Sequence, residues 1–548
     1  MTVTLSGEGL SIADIAAVAR GEAVQITSDP TVLARVARSC EVIRSAIARK
    51  EQVYGVTTLF GGMADQYIGP DLLVELQRVA LWHHKSATGP RLPDCDVRAA
   101  MLLRANSLLK GASGIRLEII DRYVTFLNAK ATPHAYQRGS IGASGDLVPL
   151  SYIAGAILGL DPAFRVDHQG QTLDAHEALR RLGLTPIQPE PKEGLALNNG
   201  TGACTGVAAN AVDRACDLIA VAMGAHALFA QALLATDQSF APFIHATKAH
   251  PGQIWTAQIM RQLLEGSRTI RSESGGDRSQ RPGKLIQDRY SLRCLPQFIG
   301  PVIDGLAILK RQIEVEANSA NDNPLIDPDT AEILHTGNFL AQYTGVAMDQ
   351  LRYYLGLIAK HLDAQNALVM TPEFSYGLSP SLVGNEARGT NVGLKSLQVA
   401  GNSMMPLIAF YGQSIADRFP THAEQFNQNV NSQAMNSANL ARESLDVFSH
   451  FMAVMLYCAV QAVELRSKLI AGSYDAREVL SPATRPLYEI ARGAALRGPD
   501  AQRPLHWNDT EEFIQPKIEG LINALQPEGA ILRAVGEVRA SLIRHAPA

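Results

Sequence analysis

Apolar residues recur at helical spacing through much of the second half of the chain. Val302, Leu306, Leu309 and Ile313 follow one another by four, three and four residues, and Leu351, Leu355, Ile358 and Leu362 repeat that rhythm. Stripes of this period cover one face of a helix, so both stretches predict long helices packed in a bundle. A third long helix is expected over residues 440–468. The most apolar window, 218–235, approaches membrane-span length, but it is alanine-rich, holds His226 and Gln231, and follows Asp213, Arg214 and Asp217. A buried helix of a large core fits it better than a membrane span.

The first 130 residues mix short elements with helices. Residues 2–5 predict a small strand, and 11–20 a helix capped by Ser11. Helical periodicity returns over 71–84 and 97–130. Between them, the loop 54–62 (Tyr-Gly-Val-Thr-Thr-Leu-Phe-Gly-Gly) is too rich in glycine and β-branched residues for helix, and reads as a mobile or lining loop. Residues 150–195 are punctuated by Pro and Gly, with a small β element expected around 164–173. The polar stretch 271–283 lacks periodicity and reads either as a surface loop or as a lid. Strand signals are scarce, so the fold class is mainly α: a long central helical bundle with a smaller N-terminal domain. The expected divisions are 1–200, 201–470 and 471–548.

Composition narrows the function classes. A net charge of −4 over 548 residues gives no basic footprint for nucleic acid or acidic membranes. The six cysteines are scattered without a C-x-x-C pair, which points to reduced thiols and a cytoplasmic location. The start of the chain has neither a basic run nor an apolar one, so no signal peptide is expected. With no membrane anchor expected, the chain reads as a soluble protein.

The chemistry concentrates in residues 136–150, Tyr-Gln-Arg-Gly-Ser-Ile-Gly-Ala-Ser-Gly-Asp-Leu-Val-Pro-Leu. Gly139, Gly142 and Gly145 let the backbone bend where Cβ-bearing residues resist. A tight bend brings the Gly145 nitrogen onto the Ala143 carbonyl carbon. Closure with loss of water, and loss of the Ser144 hydroxyl, gives a five-membered ring with an exocyclic methylidene, an electrophile no ordinary side chain supplies. The competing reading is that Ser144 simply caps a helix beginning near Asp146. The same tripeptide also occurs at Ala112-Ser113-Gly114, where it runs into a stretch that reads as plain helix.

Familiar alternatives fail. The glycines of 139–145 do not spell G-x-G-x-x-G, Lys284 lacks a phosphate loop around it, and there is no H-E-x-x-H. Ser144 does not lie in G-x-S-x-G. His83 and His84 are adjacent, so on a helix they point about 100° apart and make a poor metal pair. No metal and no external cofactor is expected. What remains is a set of polar stretches in apolar surroundings: 195–201 with Asn198 and Asn199, 287–293, 318–324, 335–339 and the amide-rich 424–433. Each alone reads as a cap or solvated turn, and together they read as a large polar pocket.

Gly-Ser-Ile-Gly-Ala-Ser-Gly-Asp-Leu-Val-Pro-Leu, Leu-Asn-Asn-Gly-Thr, Gln-Asp-Arg-Tyr-Ser-Leu-Arg-Cys, Asp-Asn-Pro-Leu-Ile and Glu-Gln-Phe-Asn-Gln-Asn resemble, in order, the motifs of the aromatic amino acid ammonia-lyase family. That family also holds histidine ammonia-lyases and aminomutases, and the resemblance looks closest to bacterial phenylalanine and tyrosine ammonia-lyases. It implies that Ala143-Ser144-Gly145 cyclises to a methylidene-imidazolone (MIO). It also implies a homotetramer of long helices with active sites shared between subunits. By resemblance Tyr54 is the general base for the β-proton, so its site must favour the phenolate over a free pKa near 10. Tyr290 assists near the cofactor, and Arg293 pairs with the substrate carboxylate. Leu147, Asn199, Gln287, Asn323, Phe339, Lys395, Glu424, Asn427 and Gln428 match other pocket positions.

Trp82-His83-His84-Lys85 falls where the family reads the aromatic ring. The resemblance implies that a histidine at position 83 goes with tyrosine as substrate, since it can hydrogen-bond a para-hydroxyl. His84 stands where leucine is usual and points to a more polar ring, such as a catechol, or to relaxed selectivity. Gln428 replaces the glutamate of histidine-specific members. Leu59 replaces a glycine, and would strain the Tyr54 loop were φ positive there. The expected reaction is deamination of an aromatic L-amino acid, tyrosine first, to a trans-cinnamate-type acid and ammonia. The other readings are a phenylalanine or dihydroxyphenylalanine lyase, an aminomutase, and an inactive helical scaffold.

Overall fold

The computed structural model describes residues 2–271, 286–420, 422–495 and 498–546. The chain is mainly helical, and it divides into two compact units. The first comprises Met1–Asp213, Leu309–Gln350 and Ser414–Arg442, and the second Arg214–Ile308, Leu351–Gln413 and Glu443–Ala548. Beyond Arg271, the polar stretch expected as a loop or lid lies outside the described residues.

The predicted helical stripes fall in two long helices, Leu295–Ala317 and Gln342–Met370, and all eight stripe residues are buried. The helix expected from 440 begins earlier, spanning Ala434–Ala471. The apolar window 218–235 belongs to Gly202–Ala232. Both Gly202–Ala232 and Ala434–Ala471 are long and apolar enough to cross a membrane, and their apolar windows are 100% and 83% buried within the chain. That is the burial expected of core helices. Within the second unit, side chains stitch helix to helix: His226 Nδ1 and Gln365 Oε1 lie 2.8 Å apart, and Arg466 Nε donates to the Ala232 carbonyl at 2.8 Å.

The first unit carries the small strands. Val3–Leu5 pairs in parallel with Val24–Ile26, and the expected β element is a hairpin, Arg165–His168 with Gln171–Asp174, joined by Thr132–Pro133. Ser11 caps Ile12–Arg20 in a reciprocal box with Asp14. The region 97–130 is not continuous helix. It breaks into Asp94–Leu108 and Leu117–Asn128. Gly111 and Gly114 between them take φ of 67° and 64°, which ends the first helix. The second copy of Ala-Ser-Gly is therefore a linker rather than a helix start, and Ser113 Oγ donates to the buried Asp322 at 3.0 Å.

Candidate active site

Ser144 opens into a cleft of the first unit. Tyr54, Phe60, Ala80, His83, His84, Leu147, Leu195, Asn198, Asn199 and Glu424 line one side of it, and Gly139, Ser140, Ile141, Gly145 and Val148 with Ala423, Glu424 and Gln428 the other. The helix after the tripeptide begins at Leu147, and the residue at its N-cap is Asp146, not Ser144. Ser144 is free of capping duty because Asp146 holds that place. The Asp146 carboxylate does not cap either. It accepts from Ser140 Oγ at 3.0 Å and from the Cys204 N–H at 2.7 Å. Burial pushes its pKa up, against those donors.

Two hydrogen bonds grip residue 144: Asn199 Nδ2 donates to its carbonyl at 2.8 Å, and Gln428 Nε2 to its hydroxyl at 3.1 Å. Gly145 takes φ +72°, and a Cβ there would lie 2.2 Å from the Gly200 carbonyl oxygen. Only glycine fits. The Asp146 N–H donates to that same oxygen at 2.7 Å. On the other flank, Ser432 Oγ donates to the Gly142 carbonyl at 2.8 Å, and the Gln433 N–H to the Ile141 carbonyl at 3.0 Å. The bend is thus tied on both sides.

The Tyr54 loop lines the cleft, and it is tied rather than loose. Val53 and Val56 are buried in a core with Val42, Ile43, Ala46 and Ile326. Thr57 Oγ1 accepts from the Val53 N–H and donates to the Glu51 carbonyl, and Gln77 Nε2 holds the Gly55 carbonyl at 2.9 Å. Leu59 does not have positive φ; its N–H donates to the Gln66 carbonyl at 3.0 Å. The strain considered for leucine there does not arise. The Tyr54 hydroxyl accepts from the Gly61 N–H at 2.9 Å. Even so, burial first and the Glu424 charge after it outweigh that donor and raise the Tyr54 pKa. The groups around Tyr54 in this chain favour the phenol, opposite to the expectation of a phenolate.

The two histidines differ from expectation in geometry. The helix Leu73–Trp82 ends one residue before His83, so the rings are not fanned around a helix. Their centroids lie 3.8 Å apart at 42°. Each Nδ1 sits 2.7 Å from a helix carbonyl, Val79 for His83 and Ala80 for His84. A carbonyl only accepts, so each Nδ1 carries a proton, and Nε2 is the ring atom left for another partner. Burial, then the neighbouring His83, lowers the His84 pKa to about 4, which keeps that ring neutral at pH 7.

A family model described as aromatic amino acid lyase matches residues 10–493. The chain is 63% identical over 543 residues to an aromatic ammonia-lyase from Loktanella atrilutea, covering 99% of both. It is 54% identical over 541 residues to a phenylalanine ammonia-lyase from Nostoc punctiforme, covering 98% of this chain and 95% of that one. Among solved structures it resembles a tyrosine aminomutase from Streptomyces globisporus (TM-score 0.87, 30% identity, 98% and 99% covered). It also resembles a Pantoea agglomerans phenylalanine aminomutase (TM-score 0.86, 28% identity, 97% and 100% covered). The chain belongs to the aromatic amino acid lyase family. It is a carbon–nitrogen lyase.

In this aromatic amino acid lyase the first unit brings together Tyr54, His83, His84, Ser144, Leu147, Asn199, Glu424 and Gln428, with Ala143 and Gly145 in the bend itself. Asn323, Phe339 and Asn427 belong to the same unit but do not line the cleft. Asn323 accepts from the Thr336 N–H at 2.7 Å, Phe339 is half-buried and Asn427 is exposed. Gln287, Tyr290, Arg293 and Lys395 belong to the second unit. There Tyr290 is 72% exposed, with the Arg293 guanidinium 4.5 Å above its ring, and Lys395 opens the helix Lys395–Tyr411. Sequence reasoning passed over Phe60, Ala80, Ser140, Asp146 and Ser432. Of these, Phe60, Ser140, Asp146 and Ser432 lie inside stretches the sequence already marks, 54–62, 136–150 and 424–433, whereas Ala80 is one apolar position of a predicted helix.

Proposed function

We propose that the chain deaminates L-tyrosine to trans-p-coumarate and ammonia, with a methylidene-imidazolone formed from Ala143, Ser144 and Gly145. The residues fit that group. Gly145 is the one residue its contact with Gly200 admits, Ser144 faces the cleft, and Asn199 fixes the carbonyl between them. Attack of the Gly145 nitrogen on the Ala143 carbonyl carbon releases one water, and departure of the Ser144 hydroxyl with its α-proton releases a second. The finished group supplies an electrophilic carbon that takes up the substrate amine and makes it a better leaving group.

The rest falls to side chains. Tyr54 takes the β-proton as the amine departs, leaving a trans double bond. Because this chain's own groups favour the phenol, the cations that lower its pKa come from elsewhere in the assembly. We assign that to a homotetramer whose sites are shared. In it Tyr290 and Arg293 reach a neighbouring subunit's cleft, with Gln287, Asn323, Phe339, Lys395 and Asn427 completing the wall. Arg293 Nε is buried without a partner among the described residues, which supports a carboxylate as its ligand. The cytoplasm is the proposed location, in keeping with six cysteines scattered without a C-x-x-C pair.

The ring preference rests on one observation: His83 and His84 line the cleft with each Nδ1 held on a helix carbonyl, which leaves the two Nε2 atoms for a ring hydroxyl. A para-hydroxyl donates to one of them. Their 3.8 Å spacing also favours a second reading, a catechol substrate with one hydroxyl per ring. The test incubates the purified protein separately with tyrosine, phenylalanine, 3,4-dihydroxyphenylalanine and histidine, with Ser144→Ala as control, following products by absorbance and mass spectrometry. Coumarate well ahead of cinnamate is expected. Cinnamate first overturns the ring assignment, a β-amino acid makes the enzyme an aminomutase, and no Ser144-dependent product leaves an inactive scaffold.

A further inference from the structure

Against Gly200 runs a buried polar chain that the reaction does not use. The Arg104 guanidinium, wholly buried, donates from Nη1 to Asn321 Oδ1 at 2.9 Å and from Nη2 to the Ala196 carbonyl. Ser107 Oγ donates to the same Asn321 oxygen at 3.3 Å. Asn321 Nδ2 donates to Thr201 Oγ1 at 2.8 Å, and Thr201 Oγ1 lies 2.6 Å from Glu316 Oε1. Since the amide NH2 can only donate, the threonine proton points to the carboxylate. The result is one directed path from a guanidinium through an amide and a hydroxyl to a carboxylate, closed at both ends by opposite charge.

Gly200 is caught between this path and the bend. A Cβ on Gly200 would lie 2.3 Å from Arg104 Nη1 and 2.6 Å from Asn321 Oδ1, and one on Gly145 would lie 2.2 Å from the Gly200 oxygen. Guanidinium, Gly200 and Gly145 are therefore stacked with no room for a methyl at either layer. Thr201 and Ala196, both held by the path, bracket Asn199 and Gly200, the residues that grip Ser144 and Asp146. Among the described residues the Gly145 N–H donates to nothing, so the nitrogen that must attack is left unengaged while its neighbours are fixed. An intramolecular closure depends steeply on holding the reacting atoms near contact distance and aligned.

We infer that Arg104, Asn321 and Thr201 are positioning residues for ring closure at Ala143–Ser144–Gly145, acting through Asn199 and Gly200. The inference rests on the reading above that the tripeptide cyclises. None of the three hydrogen-bonds the tripeptide. They set the height of the Asn199–Gly200 ledge against which the bend is formed, and the ledge sags if the path is cut in the middle.

The test cuts it with near-isosteric changes in the full-length protein. Thr201→Val removes the hydroxyl link, Asn321→Asp keeps the acceptor facing Arg104 but cannot donate to Thr201, and Thr201→Ser restores the link. Intact mass is read on soluble protein, with far-ultraviolet circular dichroism and gel filtration alongside. The wild type and Thr201→Ser are expected to weigh two waters less than the encoded chain. Most Thr201→Val and Asn321→Asp chains are expected to keep both waters with unchanged secondary structure, kcat falling with the cyclised fraction and KM holding. Full cyclisation of both variants overturns the inference while leaving the electrophile intact. A wild type at encoded mass overturns the electrophile, and the inference with it. If one variant is insoluble the other decides. If both are, while Thr201→Ser folds and cyclises, the path is a folding element and the inference falls.

Discussion

At Tyr54 two effects oppose each other within one chain: burial and the Glu424 carboxylate disfavour the phenolate, and a single backbone N–H favours it. If Tyr54 is the base, Tyr54→Phe should lower kcat/KM by about 10²–10⁴-fold while the protein still weighs two waters less than its encoded chain. Glu424→Gln removes the like charge, so the acid limb of the kcat/KM profile, where Tyr54 gains its proton, should move to lower pH; a profile unmoved by that change would exclude Glu424 from the control of Tyr54. His84 gives a separate signature. Its folded pKa of about 4 lies below its ordinary value of 6.5, so the unfolded chain binds the extra proton first. His84 therefore subtracts stability as pH falls from 6.5 towards 4 and nothing above that window. Urea midpoints of His84→Asn across those pH values should fall less steeply than those of the wild type. At this scale the sequence was legible where chemistry needs a rare combination, as in three glycines around Ala143-Ser144. The direction of the Tyr54 shift was not, because it depends first on how deeply the fold buries the ring and then on a carboxylate 370 residues away.

Elements explain why some readings turned. The competing reading of Ser144 as a helix cap arose because Ser precedes Asp and an apolar run, but the helix starts three residues later and Asp146 takes the cap position. Residue type announces a helix start more sharply than its register, and the register is set here by the contact of Gly145 with Gly200. In the same way the helix under Trp82 was legible from its periodicity, yet its end was not, and with it the near-stacking of His83 on His84. The second Ala-Ser-Gly became a linker because Gly111 and Gly114 break the helix around it. The Gly145–Gly200 contact itself invites a measurement. Gly200→Ala drives a methyl against Arg104 and Asn321 at a φ of 150°, so overpacking should cost about 1–3 kcal/mol in urea unfolding. An unchanged midpoint would mean that Arg104 yields without resistance.

For the whole molecule, the periodic stripes announced the long helices, and composition announced their burial. What periodicity cannot announce is which residues meet across several hundred positions, because that depends on how the helices pair. A chain whose candidate site residues are split between two units makes a clear demand if its sites are shared. Tyr54→Phe and Arg293→Gln proteins, each inactive alone, should regain part of the wild-type activity when co-expressed, and mixed oligomers without activity would remove the shared site. A last consequence follows from Gly145 and Gly200: by lacking a carbon, the first leaves room for the second, and the second for Arg104 and Asn321. Positive φ holds both positions and each is filled by a different neighbour, so a change at one cannot be compensated at the other. For mutational drift the two sites behave as one locked locus, and the chain can diversify only around it.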